Sequence, residues 1–140
     1  MDWKLQLVLL PVADVDRAKT FYVERMGFNL DVDHRASDTF RVVQMTPPGS
    51  TCSITIGTGI TDAAPGSVRG LHLVVPDIEA ARAELVGRGV EVGETHHFEA
   101  GERRPGVDPA HRDYDTFMPF SDPDGNTWVV QEVGWARREG

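Results

Sequence analysis

A strand that ends at a helix cap is written twice in this chain, and this repeat limits the possible folds more than any other feature. The first copy is Leu7-Val-Leu-Leu-Pro-Val-Ala-Asp14 and the second is Gly70-Leu-His-Leu-Val-Val-Pro-Asp77. One constant shift lays Val8, Leu10, Val12 and Asp14 onto Leu71, Leu73, Val75 and Asp77. The same shift carries the helix stripe Val15, Ala18, Tyr22 onto Ile78, Ala81, Leu85, an i, i+3, i+7 spacing both times. Each helix then runs into a glycine and a new strand, at Met26-Gly27-Phe28 and Arg88-Gly89-Val90. A repeat of this length means one supersecondary unit used twice.

The pattern predicts strands over Lys4–Val12, Phe28–Asp33, Phe40–Met45 and Thr51–Ile56 in the first copy, with the helix running from a cap at Asp14 to about Arg25. A polar turn is expected at His34–Asp38 and another at Pro47–Ser50. The second copy predicts strand Leu71–Val75, helix Ile78–Val86, and strands Val90–Val92, Thr116–Phe120 and Thr127–Val133. Between them, Glu94–Tyr114 is charged and lacks an apolar period. It reads as a long loop, either a functional lid or a solvated or disordered excursion. Ser121-Asp-Pro-Asp-Gly-Asn126 has the composition of a tight turn, and the polar tail Ala136–Gly140 is expected to fray. The expected organisation is a single α+β domain over 1–140. Module one covers about 4–57, a Gly/Thr/Ala/Pro-rich linker about 58–67, and module two about 68–134. A helix after only the first strand of each module leaves antiparallel hairpins elsewhere, so each module is a sheet with one helix-covered face.

A formal charge of −8 argues against nucleic acid as a partner, because phosphate binding needs a basic face. The single cysteine, Cys52, cannot form an internal disulfide and suits a reducing compartment. No apolar run approaches the roughly 20 residues that span a membrane, and no signal-peptide pattern is present. A soluble cytoplasmic protein with no membrane partner is the expectation.

Strand side chains alternate between faces. The apolar sets Val8/Leu10/Val12, Leu71/Leu73/Val75, Ile54/Ile56 and Trp128/Val130 are expected under the helices. Leu7, Leu9, Ser53, Thr55, Gly70, His72, Thr127, Val129 and Gln131 then share the second face. This mixture of small, apolar and polar residues suits a ligand cavity, and equally a solvated sheet or a subunit interface. Cys52, next to Ser53, is expected to face the helix side as a core residue. His96 and His97 are adjacent on the expected loop and do not converge on one point.

These features together resemble the vicinal oxygen chelate superfamily of glyoxalase I, bleomycin-resistance proteins and extradiol dioxygenases. The resemblance rests on the paired βαβββ modules, Val12-Ala-Asp14 before a helix carrying Phe21-Tyr22, Gly27-Phe28 after it, and Asp122-Pro-Asp-Gly-Asn126 before the last strand. It implies an incomplete barrel forming a cup, and a homodimer. In metal enzymes of that superfamily the ligands stand seven residues before each capping Asp and four after the turn glycine. Those points fall here on Leu7, Gly70 and Val129, with strand four contributing about Ser53. Leu, Gly and Val offer no ligand atom and a serine hydroxyl is a poor one, so no metal or other cofactor is expected.

The function expected is that of a metal-free protein of the glyoxalase/bleomycin-resistance type, holding a small molecule in the cup. His72, Gln131, Ser53, Thr55, Thr127, Leu7, Leu9 and Val129 are its candidate ligand-binding residues. The alternative is a glyoxalase- or dioxygenase-like lyase, isomerase or oxygenase using His72 as acid–base or a displaced metal site. The first-module equivalent of His72 is Leu9, so the repeat itself does not require a histidine there.

Overall fold

The computed structural model describes residues 1–138 and divides into two compact units, one comprising 1–68 together with Asp122–Asn126 and the other 69–121 with the remaining C-terminal residues. In the first unit a short strand β1 (Leu7–Leu9) leads to helix α1 (Val15–Thr20), which widens into a π turn over Phe21–Arg25. Strands β2 (Asn29–Ser37), β3 (Phe40–Thr46) and β4 (Ser53–Thr58) follow. The sheet order is β1-β4-β3-β2, with β1 and β4 parallel and the other pairs antiparallel.

In the second unit β5 (Leu71–Val75) leads to helix α2 (Ile78–Gly87), then β6 (His96–Glu99), β7 (Glu102–Pro105), β8 (Thr116–Ser121) and β9 (Thr127–Glu132). Its order is β5-β9-β8-β6-β7, again with the first strand parallel to its neighbour. The two orders match strand for strand, β7 being the addition. This is an α+β architecture with two sheets that do not close, as the resemblance implies.

Both helices start as the repeat requires. The Asp14 carboxylate accepts from Arg17 N and that of Asp77 from Ala80 N, each an N-cap of about 1 kcal/mol. The first helix ends where Gly27 takes a φ of 76°, which lets Phe28 N reach back to Tyr22 O. Leu10, Ala18, Phe21, Tyr22, Val43, Met45, Ile54 and Ile56 are buried in the first unit, and Ile78, Leu85, Met118, Phe120, Trp128 and Val130 in the second. Each such large side chain contributes about 1.5–3 kcal/mol by leaving water. Arg41 is buried on the same side of the first sheet, its guanidinium bonded to Asp33 at 3.0 and 2.9 Å and to Asp16 at 2.8 Å. Those bonds, joined by Lys19, hold the Asp33 carboxyl well below its usual range.

Several expectations need correction. Residues 34–37, expected in a turn, continue β2, because two bulges let its polar residues keep pairing with β3 as an edge strand. Val90–Val92 makes only one bridge, from Val92 to Phe120. The largest difference lies at 94–114, where the β6–β7 hairpin stands in place of the first half of the loop. Its two-residue turn, Ala100-Gly101, has φ of 50° and 79°, the twist a tight hairpin demands. Cys52 lies just ahead of β4 and is half-buried, outside the core, because β4 begins at Ser53. In the tail, Trp135–Arg137 forms a 3-10 turn, and 139–140 lie outside the described residues. Among the described residues no helix is long and apolar enough to cross a membrane.

Candidate functional site

In the first unit the face away from α1 is set by register. Leu7 pairs with Ser53, and Leu9 with Thr55, which in turn pairs with Gln44. These residues therefore share a face, opposite Val8, Ile54 and Ile56. Ser53 sits in a hydroxyl chain: Gln44 Nε2 lies 3.3 Å and Thr46 Oγ1 2.7 Å from Ser53 Oγ, and Thr46 Oγ1 donates to Asp31. Thr46 has one proton, which Asp31 takes, so Ser53 must donate to Thr46 and accept from Gln44. Every donor in the chain thus points toward the Asp31 carboxylate. Thr55 is 3% exposed, and its Oγ1 is buried without a hydrogen-bond partner. An unsatisfied buried hydroxyl costs about 1–3 kcal/mol, which a bound group could recover.

In the second unit, register places His72, Val129 and Pro119 in one row across the sheet, away from α2. The adjoining row runs Val74, Gln131, Phe117, His96, Pro105. His72 is exposed and its Nδ1 donates to Gly70 O at 2.7 Å, which leaves Nε2 as the outward atom. Gln131 Nε2 donates to Tyr114 O at 3.0 Å. Thr127 is committed to structure, because its hydroxyl accepts from Gly70 N at 2.7 Å. The candidate residues therefore divide by unit: Leu7, Leu9, Ser53 and Thr55 in one, His72, Thr127, Val129 and Gln131 in the other.

In the second unit an aromatic cluster that the sequence did not announce lies on the same face as His72 and Gln131. His96 stacks on Phe117 with centroids 5.4 Å apart and planes at 22°. Phe98 meets both edge-on, each at 5.8 Å. Reading 94–114 as a loop hid His96 and Phe98, whereas Phe117 lies in the strand expected over Thr116–Phe120. The available signal was the alternation of His96 and Phe98 about His97 ahead of Ala100-Gly101.

His97 is on the opposite face and buried, bonded to Gly106 O at 2.8 Å and to Glu99 at 3.0 Å. Glu99 first, then the Gly106 carbonyl, holds its imidazole above the usual range. Nearby, burial and then a shared hydrogen bond with Asp108 push the Asp115 carboxyl up. Asp108 itself is lowered to about 2, because the Ala110 and Arg112 N–H groups, Asp115 and the Arg112 charge outweigh the effect of burial. These contacts anchor the chain after β7 to β8, through Asp108 N and Thr116 Oγ1 at 3.1 Å. Asp115 and Arg112 also border a depression of about 520 Å³ with Phe98 and Tyr114.

The points that would hold a metal do not fit one. Leu7, Gly70 and Val129 carry no donor atom, and the Ser53 hydroxyl is already bonded on both sides. Among the described residues no three His, Cys, Asp or Glu side chains are grouped to hold an ion.

Comparison with known proteins places this arrangement in context. The model of the Glyoxalase/Bleomycin resistance protein/Dioxygenase superfamily matches residues 4–130. TnmS3, an antibiotic binding protein from Streptomyces sp. CB03234, is 33% identical, with 94% of this chain and 96% of that one covered and a TM-score of 0.71. A glyoxalase/bleomycin resistance protein from the same organism is 32% identical over 92% of this chain and 100% of its own, with a TM-score of 0.69. A superfamily member from Sphaerobacter thermophilus DSM 20745 is 27% identical over 94% and 98%, with a TM-score of 0.72.

Proposed function

The chain belongs to the Glyoxalase/Bleomycin resistance protein/Dioxygenase superfamily, and on that premise we propose that it binds a small organic molecule against its helix-free sheet faces, without a metal. The observation that carries this reading is the chemistry of the four family ligand points, Leu7, Ser53, Gly70 and Val129, which lack a usable donor set. The faces bearing those points are nevertheless furnished for recognition, with the orphan Thr55 hydroxyl on one and the aromatic cluster beside His72 and Gln131 on the other. A relative named for antibiotic binding at 33% identity supports the same reading.

Two measurements on the purified protein test it. After incubation with Zn, Ni, Fe and Mn salts and desalting, elemental analysis should find well under one metal per chain. About one per chain, lost in His72→Ala or Gln131→Leu, would reject the metal-free site. A thermal-shift panel of aromatic, saturated and sugar-like molecules should contain compounds that raise Tm in proportion to the logarithm of their concentration. Consumption of such a compound, abolished in His72→Ala, would favour the enzyme with His72 as acid–base.

The protein also works as a homodimer on this reading. Strand β5 is an edge strand of Leu, His and Val with Val74 61% exposed, whereas the opposite edge, β7, is guarded by Glu102, Arg103, Arg104 and Pro105. An unguarded apolar edge favours pairing, and two-fold symmetry is the commonest way to supply it. Light scattering at micromolar concentration should return twice the chain mass, and the mass of one chain would reject an obligate dimer.

A further inference from the structure

We infer that the face of the second sheet away from α2 is a slot for one planar aromatic molecule bearing N–H or O–H donors, an inference that rests on the small-molecule reading above and names the class of its ligand. The slot follows from strand order. Strands β5 and β8 flank β9, so their backbones stand two strand spacings apart, roughly 9.5 Å. On this face β5 raises His72 and Val74, β8 raises Phe117 and Pro119, and β9 offers Val129 and Gln131 as the floor. That spacing admits one ring in contact with both walls at about 3.5–4.0 Å on each side.

The β8 wall is already set for stacking. His96, the cross-strand partner of Phe117, lies against its β6 side nearly parallel, and Phe98 abuts both rings edge-on. The Phe117 ring is thereby held upright, with its other face turned over β9. Little side-chain freedom is then lost when a ligand stacks there, which raises affinity for a flat partner.

The two polar groups of the slot determine which flat molecule fits. A carbonyl can only accept, so the bond to Gly70 O assigns the proton of the neutral His72 ring to Nδ1 and leaves Nε2 with a lone pair. The bond to Tyr114 O fixes the amide nitrogen of Gln131 on that side and turns its carbonyl oxygen the other way. Both groups present acceptors. A ligand with only carbonyl or carboxylate oxygens would set lone pair against lone pair, whereas an aromatic amine or phenol would satisfy them. The overall charge of −8 disfavours an anion in the same sense.

Two fluorescent probes of the same ring system separate these elements. They are 7-amino-4-methylcoumarin, which carries N–H donors, and 7-dimethylamino-4-methylcoumarin, which carries none and is the more apolar. The amino probe should bind saturably at one per chain, and the dimethylamino probe about tenfold or more weaker, the reverse of what hydrophobicity alone dictates. Phe117→Leu should weaken the amino probe about tenfold. Val129→Trp, which fills the floor and removes no contact the fold needs, should abolish binding with an unchanged circular dichroism spectrum. His72→Ala and Gln131→Leu should each shrink the difference between the probes. Equal affinity for both probes, no saturable binding of the amino probe, or full affinity in Val129→Trp would each overturn the inference. If saturated compounds of the panel above raise Tm while neither coumarin binds, the binder reading survives and this inference alone falls. If nothing binds, both fall.

Discussion

Asp122→Ala should lower the unfolding free energy by about 3–5 kcal/mol, a large part of what a domain of this size possesses. Asp122 opens the turn between β8 and β9 and is 5% exposed. One carboxylate oxygen accepts from Asp124 N and Asn126 N, both at 2.9 Å. The other accepts from the Tyr22 hydroxyl at 2.7 Å and from Asn126 Nδ2 at 2.8 Å. Tyr22 and Asn126 are both fully buried, so water cannot easily replace the lost acceptor. Hydrogen bonds to a charged group contribute about 1.5–3 kcal/mol each and do not add fully, which sets the range. Asp122→Asn should cost less, about 1–2 kcal/mol. Its oxygen can still serve the two backbone N–H groups, but its nitrogen faces the Asn126 amide donor. Asp38→Ala, in an exposed turn, is the control and should stay within about 0.5 kcal/mol. Urea unfolding followed by tryptophan fluorescence measures all three. A loss below about 1 kcal/mol for Asp122→Ala would show that the turn does not hold the first unit together.

That network also shows which structure was legible in the sequence. The composition of Asp122–Asn126 announces a tight turn, since the rule is local. Its tie to Tyr22 spans a hundred residues, and no local pattern reports that. Asp14 and Asp77 were legible for the same local reason: a cap bonds three residues along its own chain. Strand parity was legible too, because alternation is a property of one strand, and the observed register groups Leu7 with Ser53 and His72 with Val129 as parity requires. The β6–β7 hairpin was not. Its turn uses Ala100 at φ 50° where Asn or Gly is the usual marker, and β7, an edge strand, has polar side chains on both faces. His96 and Phe98, which back Phe117 in the aromatic wall of the candidate site, were lost with that hairpin. So was the hydrogen-bond polarity around His72 and Gln131, which depends on backbone carbonyls that only the folded chain brings near.

Glu132→Leu should cost about 3–5 kcal/mol, for a reason the alternating pattern of β9 does not contain. Parity puts Glu132 on the helix-covered face beside Val75, where an apolar residue would be expected, and it is 1% exposed. The carboxylate stays buried because both oxygens are engaged. Oε2 accepts from Ile78 N at 3.0 Å, one of the orphan N–H groups that begin α2, and Oε1 accepts from His111 Nδ1 at 2.7 Å. The positive end of the helix adds to the first bond. His111 is in turn stacked on Trp135, with centroids 3.7 Å apart, and Arg138 lies over that indole at 3.2 Å. One side chain therefore joins the helix start, the loop after β7 and the C-terminal turn to the sheet. Leucine fills the volume but leaves the buried Ile78 N–H without its acceptor and the partly exposed His111 imidazole without its carboxylate, and the first of these is the costly loss. Glu132→Gln should lose only about 1–2 kcal/mol. Its oxygen can serve Ile78 N, and its amide can donate to His111 once the imidazole carries its proton on Nε2. Hydrogen exchange should show the first turn of α2 and residues 110–114 losing protection together in Glu132→Leu. Protection lost at only one of the two, or a leucine variant as stable as the glutamine one, would mean that Glu132 does not couple them.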